Sequence, residues 1–555
     1  MSTLFTKLTK STLLGITGLL IFLTSVGFID FEKSQQKQQP NILWITVEDM
    51  SPQHLGCYGG KVAKTPNIDQ LAREGVLYTN AFSTAGVCAP SRNALITGMY
   101  QTSIGGHNMR NYLPGTFNTP NFKSGAPFPS YSILPPAEVK CFPEYLRKAG
   151  YYCTNNVKQD YQFEAPETVW DENSATADWR GRPDKNQPFF SIINLEDTHE
   201  SQLFSRDNMP LTVKPEEVDL LPFWQDTPTI RKDVARHLSN IEDMDRKVGE
   251  IIRKLKEDGL YDNTIIFYYS DHGDCLPFVK RELYDRGLKV PLIIRYPNAQ
   301  NGGTKTSELV SFVDFAPSIL SLSHIPIPKI MQGQAFLGAQ KAKTSRKYIF
   351  AARDRQDSEV DRVRAVSDGR YKYFRNYYPE KPYYQDLRYR KQIKGMAELL
   401  KLRDEGKLSG LQMYWFRPNK PKEELFDVQN DPFEVKNIAD DPKYAGKLTE
   451  LRTQHEEWVK KYGDLGELSE KEIRAKWWNS SEKAPKTETP LLSVKGNKVT
   501  VSCPTEGASV GYKKQASDKS WSVYTSPISL AAGDSLLVVA HRIGYEKSDI
   551  VKMKK

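Results

Sequence analysis

The stretch "NILWITVEDM", Asn41 to Met50, is a short apolar run rich in β-branched residues that breaks off in two acids, Glu48 and Asp49. It reads as a buried strand of a parallel sheet whose carboxyl end presents two carboxylates. The pattern recurs downstream. "PFFSIINL" (188–195) runs into Glu196, Asp197 and His199, "TIIFYYS" (264–270) runs into Asp271 and His272, and "VPLIIRYP" (290–297) follows. Helical stretches lie between these runs. "TPNIDQLAREG" has Thr65 as N-cap, Pro66 at the first helical position and Gly75 as stop, and "RKDVARHLSNIEDMDRKVGEIIRKLKEDG" (231–259) is long and amphipathic. Strands alternating with helices predict an α/β fold, a mostly parallel sheet flanked by helices. Ligands of such sheets gather at the carboxyl ends of the strands, where these acids and histidines fall.

Outside this core the texture changes. The first 27 residues carry Lys7 and Lys10 ahead of an apolar run from Leu13 and end in small residues, as a secretory signal peptide does; an uncleaved anchor is the alternative. Residues 40–340 hold the α/β pattern. From 345 to 465 the alternation of "RAVSDGRYKYFRNYYP" and several polar helical stretches predict a smaller α+β subdomain. Residues 466–489, rich in lysine and glutamate, read as a linker, and 490–555 as a small all-β module.

The 555 residues carry 77 Lys and Arg against 68 Asp and Glu, a net charge of +9 that suits a polyanionic partner. No zinc-finger spacing or basic heptad region supports nucleic acid. Six cysteines in so long an exported chain do not make a disulfide scaffold. Glu48, Asp49 and Asp271, with His272 beside them at neighbouring strand ends, bring together three carboxylates that would repel one another unless a cation neutralised them. Hard oxygen donors select calcium or magnesium, and the alternative is a set of unrelated acids that end strands.

"CAPSRNALITG", Cys88 to Gly98, carries Cys-x-Pro-Ser-Arg followed by Thr-Gly. It resembles the signature of the formylglycine-dependent sulfatases of the alkaline phosphatase superfamily. "NILWITVEDMSPQHLGCYGG", "TPNIDQLAREGVLYTNAF", "SDHGDCLPFVKRELYDRGLKVPLIIRYP" and "ELFDVQNDPFEVKNIA" resemble further landmarks of that family, so that the likeness spans about residues 40 to 460. It implies that Cys88 is oxidised by a sulfatase-maturing enzyme to an aldehyde, 3-oxoalanine. The hydrated aldehyde offers one hydroxyl to attack sulfur and a second whose deprotonation expels sulfate as the aldehyde re-forms.

The same resemblance implies metal ligands Glu48, Asp49, modified Cys88, Asp271 and His272, with Glu48 where aspartate is commoner. Arg92 would hold the hydrated aldehyde, Lys158 corresponds to the lysine of a Gly-Lys-x-His motif, His199 to the histidine after the third strand, and Lys280 to a sulfate-binding cation. The chain departs from that motif at Val157, in place of glycine, and at Asp160, in place of histidine. Asp160 reads as a substitute proton carrier, a ligand for a cationic substrate group, or a structural acid paired with Lys158, which makes His199 the first choice of general acid. Arg353, Asp354, Arg355 and Asp357 fall where substrate contacts enter from the smaller subdomain. The terminal module resembles the β-sandwiches appended to bacterial chitobiase-like enzymes.

The implied function is that of an exported, periplasmic or secreted sulfatase. It acts on sulfate esters of a polysaccharide or its oligosaccharides, an algal polymer such as ulvan or a glycosaminoglycan, with no stable membrane insertion after signal cleavage. A sulfamidase or phosphoester or phosphonate hydrolase on the same fold, and a sulfated-glycan binding protein without turnover, are the competing readings.

Overall fold

The computed structural model describes residues 39–112, 130–481 and 483–555. The signal-peptide reading of residues 1–27 lies outside them. Strand β1 (Asn41–Val47) is buried along its whole length. It pairs in parallel with β5 (Phe189–Leu195) on one side and β6 (Thr264–Ser270) on the other. The sheet continues outward from β5 through β3 (Tyr152–Asn155) to β4 (Glu172–Asn173), again in parallel. On the other side come β7 (Lys289–Arg295), β2 (Val76–Phe82) and β8 (Thr304–Thr306), with β9 (Val310–Ser311) also paired to β2. Only β7 breaks the parallel run, being antiparallel to both β6 and β2.

Both faces of this sheet are covered, which explains why its central strands are continuous apolar runs rather than alternating ones. Leu43, Ile45 and Val47 of β1 join one apolar cluster, while Ile42 and Trp44 join another on the opposite face. The helix Pro228–Glu257 covers the first face with a stripe that includes Ile230, Val234, Leu238, Ile241 and Val248. Its first turn is capped by Thr227, whose side chain accepts from the Ile230 amide.

A second, antiparallel sheet follows in the order β10 (Ile349–Arg353), β11 (Val363–Ser367), β12 (Tyr371–Asn376), β13 (Glu423–Asp427). The chain then ends in two small antiparallel sheets around Val499, Val501, Ile528, Leu536 and Val538. The stretch read as a linker contains the helix Glu470–Trp477, with Glu470 and Ile473 buried. Its high charge reflects committed ion pairs as well as solvation: Glu470 binds Arg355 in a two-pronged ion pair and accepts from the Tyr131 hydroxyl at 2.7 Å. Among the described residues no helix is long and apolar enough to cross a membrane, and all six cysteines are free.

Candidate active site

The register of the central strands sets the site. Val47 lies level with Leu195 on one side and Ser270 on the other, so β1, β5 and β6 release their following residues at one height. Glu48 and Asp49 leave β1 there, Asp49 with a left-handed φ of 46°. Its amide donates to Asp271 Oδ1 at 3.0 Å, and the next amide, of Met50, donates to Ser270 Oγ at 2.9 Å. The helix Cys88–Thr97 points its N-terminus at these acids. Ser91 Oγ donates to the Asp271 carbonyl at 2.6 Å, which ties that helix to the end of β6.

Cys88 Sγ, fully buried, lies 3.3 Å from His272 Nε2, 3.8 Å from Glu48 Oε2 and 3.9 Å from Asp49 Oδ1. Asp49, Cys88, Asp271 and His272 each bring a donor atom within 4.8 Å of the others. Glu48 joins Asp49 and Cys88 in an overlapping group with His199, so that three fully buried carboxylates and the His272 imidazole gather about Cys88, a donor set that fits the calcium or magnesium implied by the motifs. His272 Nδ1 faces the Gly273 carbonyl at 2.9 Å, which orients the ring with Nε2 toward the cluster.

Cations surround the acids. Arg92 donates to Glu48, to Asp271 Oδ2 at 3.3 Å and to Asn194 Oδ1 at 2.8 Å. Lys158 Nζ donates to Glu48 Oε2 at 2.6 Å, and Lys280 pairs with Asp49 and, at 3.7 Å, with Glu200. His199 brings a ring nitrogen within 4.8 Å of donor atoms of Glu48, Asp49 and Cys88. Its Nδ1 lies 2.9 Å from Ser201 Oγ and 3.2 Å from the Ser201 amide nitrogen. Burial first, and then the Lys280 ammonium, push the His199 pKa down to about 3.

Asp160 sits 3.5 Å from Arg110 and 3.8 Å from Lys158. Burial alone would raise its pKa, but these two cations hold its carboxyl well below the usual range. That environment is opposite to the one a substitute proton donor needs. Val157 adopts a φ of 73°, a left-handed backbone that accounts for glycine in the family motif.

The remaining expected residues stand apart from this cluster. Asp197 is bound by Arg206 and Lys247 at 2.8 Å each. Arg353 pairs with Glu282 and Asp361, Asp354 with Arg364, and Arg355 with Glu470, all in buried networks. The sequence reading assigns no role to Asn194, Arg110, Glu200 or Arg281. Adjacency is the nearest signal, since Glu200 follows His199 and Arg281 follows Lys280, and the two grip each other through paired contacts of 2.9 and 2.8 Å.

The family model described as Sulfatase matches residues 40–186 and 155–325. The chain belongs to the sulfatase family. This sulfatase also matches, over residues 273–392, the model described as N-sulphoglucosamine sulphohydrolase, C-terminal. It is 44% identical to an ulvan-active sulfatase of Formosa agariphila, across 93% of this chain and 91% of the relative. A putative sulfatase from Bacteroides fragilis superposes with a TM-score of 0.58 at 20% identity, covering 78% of this chain and 98% of that one. A protein solved with its substrate D-glucosamine-2-N,6-O-disulfate superposes at 0.53 and 19% identity, over 78% and 100%. The fold is therefore alkaline-phosphatase-like, and the enzyme is a sulfuric ester hydrolase.

Proposed function

We propose that this sulfatase removes sulfate esters from ulvan or its oligosaccharides after export, through an aldehyde made from Cys88 by a maturing enzyme. The observation that carries the reading is Cys88 at a helix N-terminus, enclosed by Glu48, Asp49, Asp271 and His272 and ringed by Arg92, Lys158, Lys280 and His199. The 44% identity to an ulvan-active relative supports the polymer.

The hydrated aldehyde and a divalent cation, calcium by the count of oxygen donors, together supply a hydroxyl nucleophile for sulfur at neutral pH and a carbonyl whose re-formation expels sulfate. Glu48, Asp49, Asp271 and His272 hold the cation. Arg92, fixed by Asn194 and Glu48, orients the residue at position 88 and offsets charge on the sulfuryl oxygens. Lys158 and Lys280 bind those oxygens. His199, neutral at pH 7, donates an N–H hydrogen bond to the bridging oxygen, and the departing alkoxide takes its proton from water. Asp160 remains ionised and positions Lys158 and Arg110.

The test is inorganic sulfate release, by ion chromatography, from ulvan oligosaccharides and heparin fragments, using protein whose Cys88 peptide shows the aldehyde by mass spectrometry. Release from ulvan, lost in chelator and restored by calcium, is expected. Release from N-sulfated fragments alone would instead favour a sulfamidase, the reading to which the match over residues 273–392 points.

A further inference from the structure

Outside the catalytic cluster, His54, His237 and Asp274 bring one donor atom each within 4.8 Å of one another. His54 Nε2 lies 2.8 Å from Asp274 Oδ2, and His237 Nε2 lies 3.3 Å from Asp274 Oδ1. The two rings meet edge to face with centroids 5.5 Å apart. Both ε-nitrogens thus converge on one carboxylate.

The surroundings hold this arrangement in place. Asp274 Oδ1 accepts from the Ser51 amide at 2.7 Å, Oδ2 accepts from Gln53 Nε2 at 3.2 Å, and the Asp274 amide donates back to Ser51 Oγ at 2.9 Å. Cys275 Sγ lies 3.3 Å from His237 Nδ1, a partner for the Nδ1–H tautomer that leaves the Nε2 lone pair free. His237 and Asp274 are buried, and His54 with Asp274 lines a cavity of about 420 Å³. Ligand atoms around a tetrahedral zinc ion lie about 3.3 Å apart; the His237–Asp274 pair has that spacing at 3.3 Å, and the His54–Asp274 pair at 2.8 Å is tighter.

We propose that His54, His237 and Asp274 form a second metal site, for a zinc-type divalent cation, with water from the adjacent cavity in the fourth position. Two imidazoles and one carboxylate favour such an ion over calcium, which the oxygen-rich catalytic cluster suits better. The site joins three segments. His54 follows the Glu48–Asp49 turn, Asp274 follows Asp271–His272, and His237 belongs to the helix Pro228–Glu257. A cation here clamps the two turns that carry the catalytic ligands onto that helix.

The experiment uses full-length, calcium-replete enzyme incubated with zinc chloride and dialysed. Elemental analysis is expected to find one more zinc per chain in the wild type than in His54→Gln, together with a zinc-induced rise in melting temperature that the variant lacks. Equal zinc content in the two proteins would overturn the proposal. Should the variant not fold, cobalt chloride with the wild type decides. A visible absorption band of four-coordinate intensity, displaced by zinc and unmoved by calcium, is expected; a weak six-coordinate spectrum, or one bleached by calcium, overturns the site.

Discussion

At residue scale, the chemistry depends on the atom at position 88. Cys88 is fully buried among charged groups, and in the proposed mechanism removing Sγ deletes the precursor of the nucleophile while leaving Arg92, Lys158 and Lys280 in place. Cys88→Ala is therefore expected to abolish sulfate release and to leave glycan affinity within about twofold; measurable turnover in that variant would contradict the assignment. Val157 offers a stability test. A β-branched residue at a φ of 73° carries strain of about 1–2 kcal/mol, whereas glycine adds about 0.5–1 kcal/mol of unfolded-state entropy. The side chain is 54% exposed, so little packing is lost. Val157→Gly should stabilise, by up to roughly 1.5 kcal/mol, in urea denaturation.

At the scale of elements, the helix Glu470–Trp477 fastens the end of the catalytic fold. Its Ser469–Glu472 capping box stabilises the first turn, and Glu470 neutralises Arg355, which is 2% exposed. Glu470→Ala leaves a buried guanidinium without its carboxylate and should cost about 3 kcal/mol or more. A much smaller loss in chemical denaturation would mean that Arg355 is satisfied by the carbonyls and Asn111 that it also contacts. Strand identity in the central sheet was legible from apolar runs of seven residues, because burial on both faces removes alternation. The antiparallel direction of β7 was not, since a strand buried on both faces has the same composition whichever way it runs. Composition likewise hid the helix at 470–477, whose buried Glu470 is matched by Arg355 far away in the chain.

At the scale of the molecule, the net charge, +9 over the whole sequence and still positive without Lys7 and Lys10 of the signal-like segment, acts on a polyanionic substrate before any contact forms. Raising ionic strength from about 0.01 M to about 0.15 M shortens the screening length from about 30 Å to about 8 Å. KM for ulvan oligosaccharides should rise severalfold over that range while kcat changes by less than about twofold. A salt-independent KM would confine substrate attraction to the catalytic cluster.

The sequence by itself determined the α/β class, the strand ends that carry acids, and the identity of Cys88 and its motif, because these are local patterns of burial, turn chemistry and spacing. Tertiary structure alone decided which charges meet. Asp160 faces Arg110 and Lys158, Asp197 turns to Arg206 and Lys247, Arg353 and Arg355 are bound into buried pairs, and His54 and His237 converge on Asp274. Most of these partners lie tens to hundreds of residues apart, and a pKa or a ligand set depends on distance in space, which no window of sequence contains.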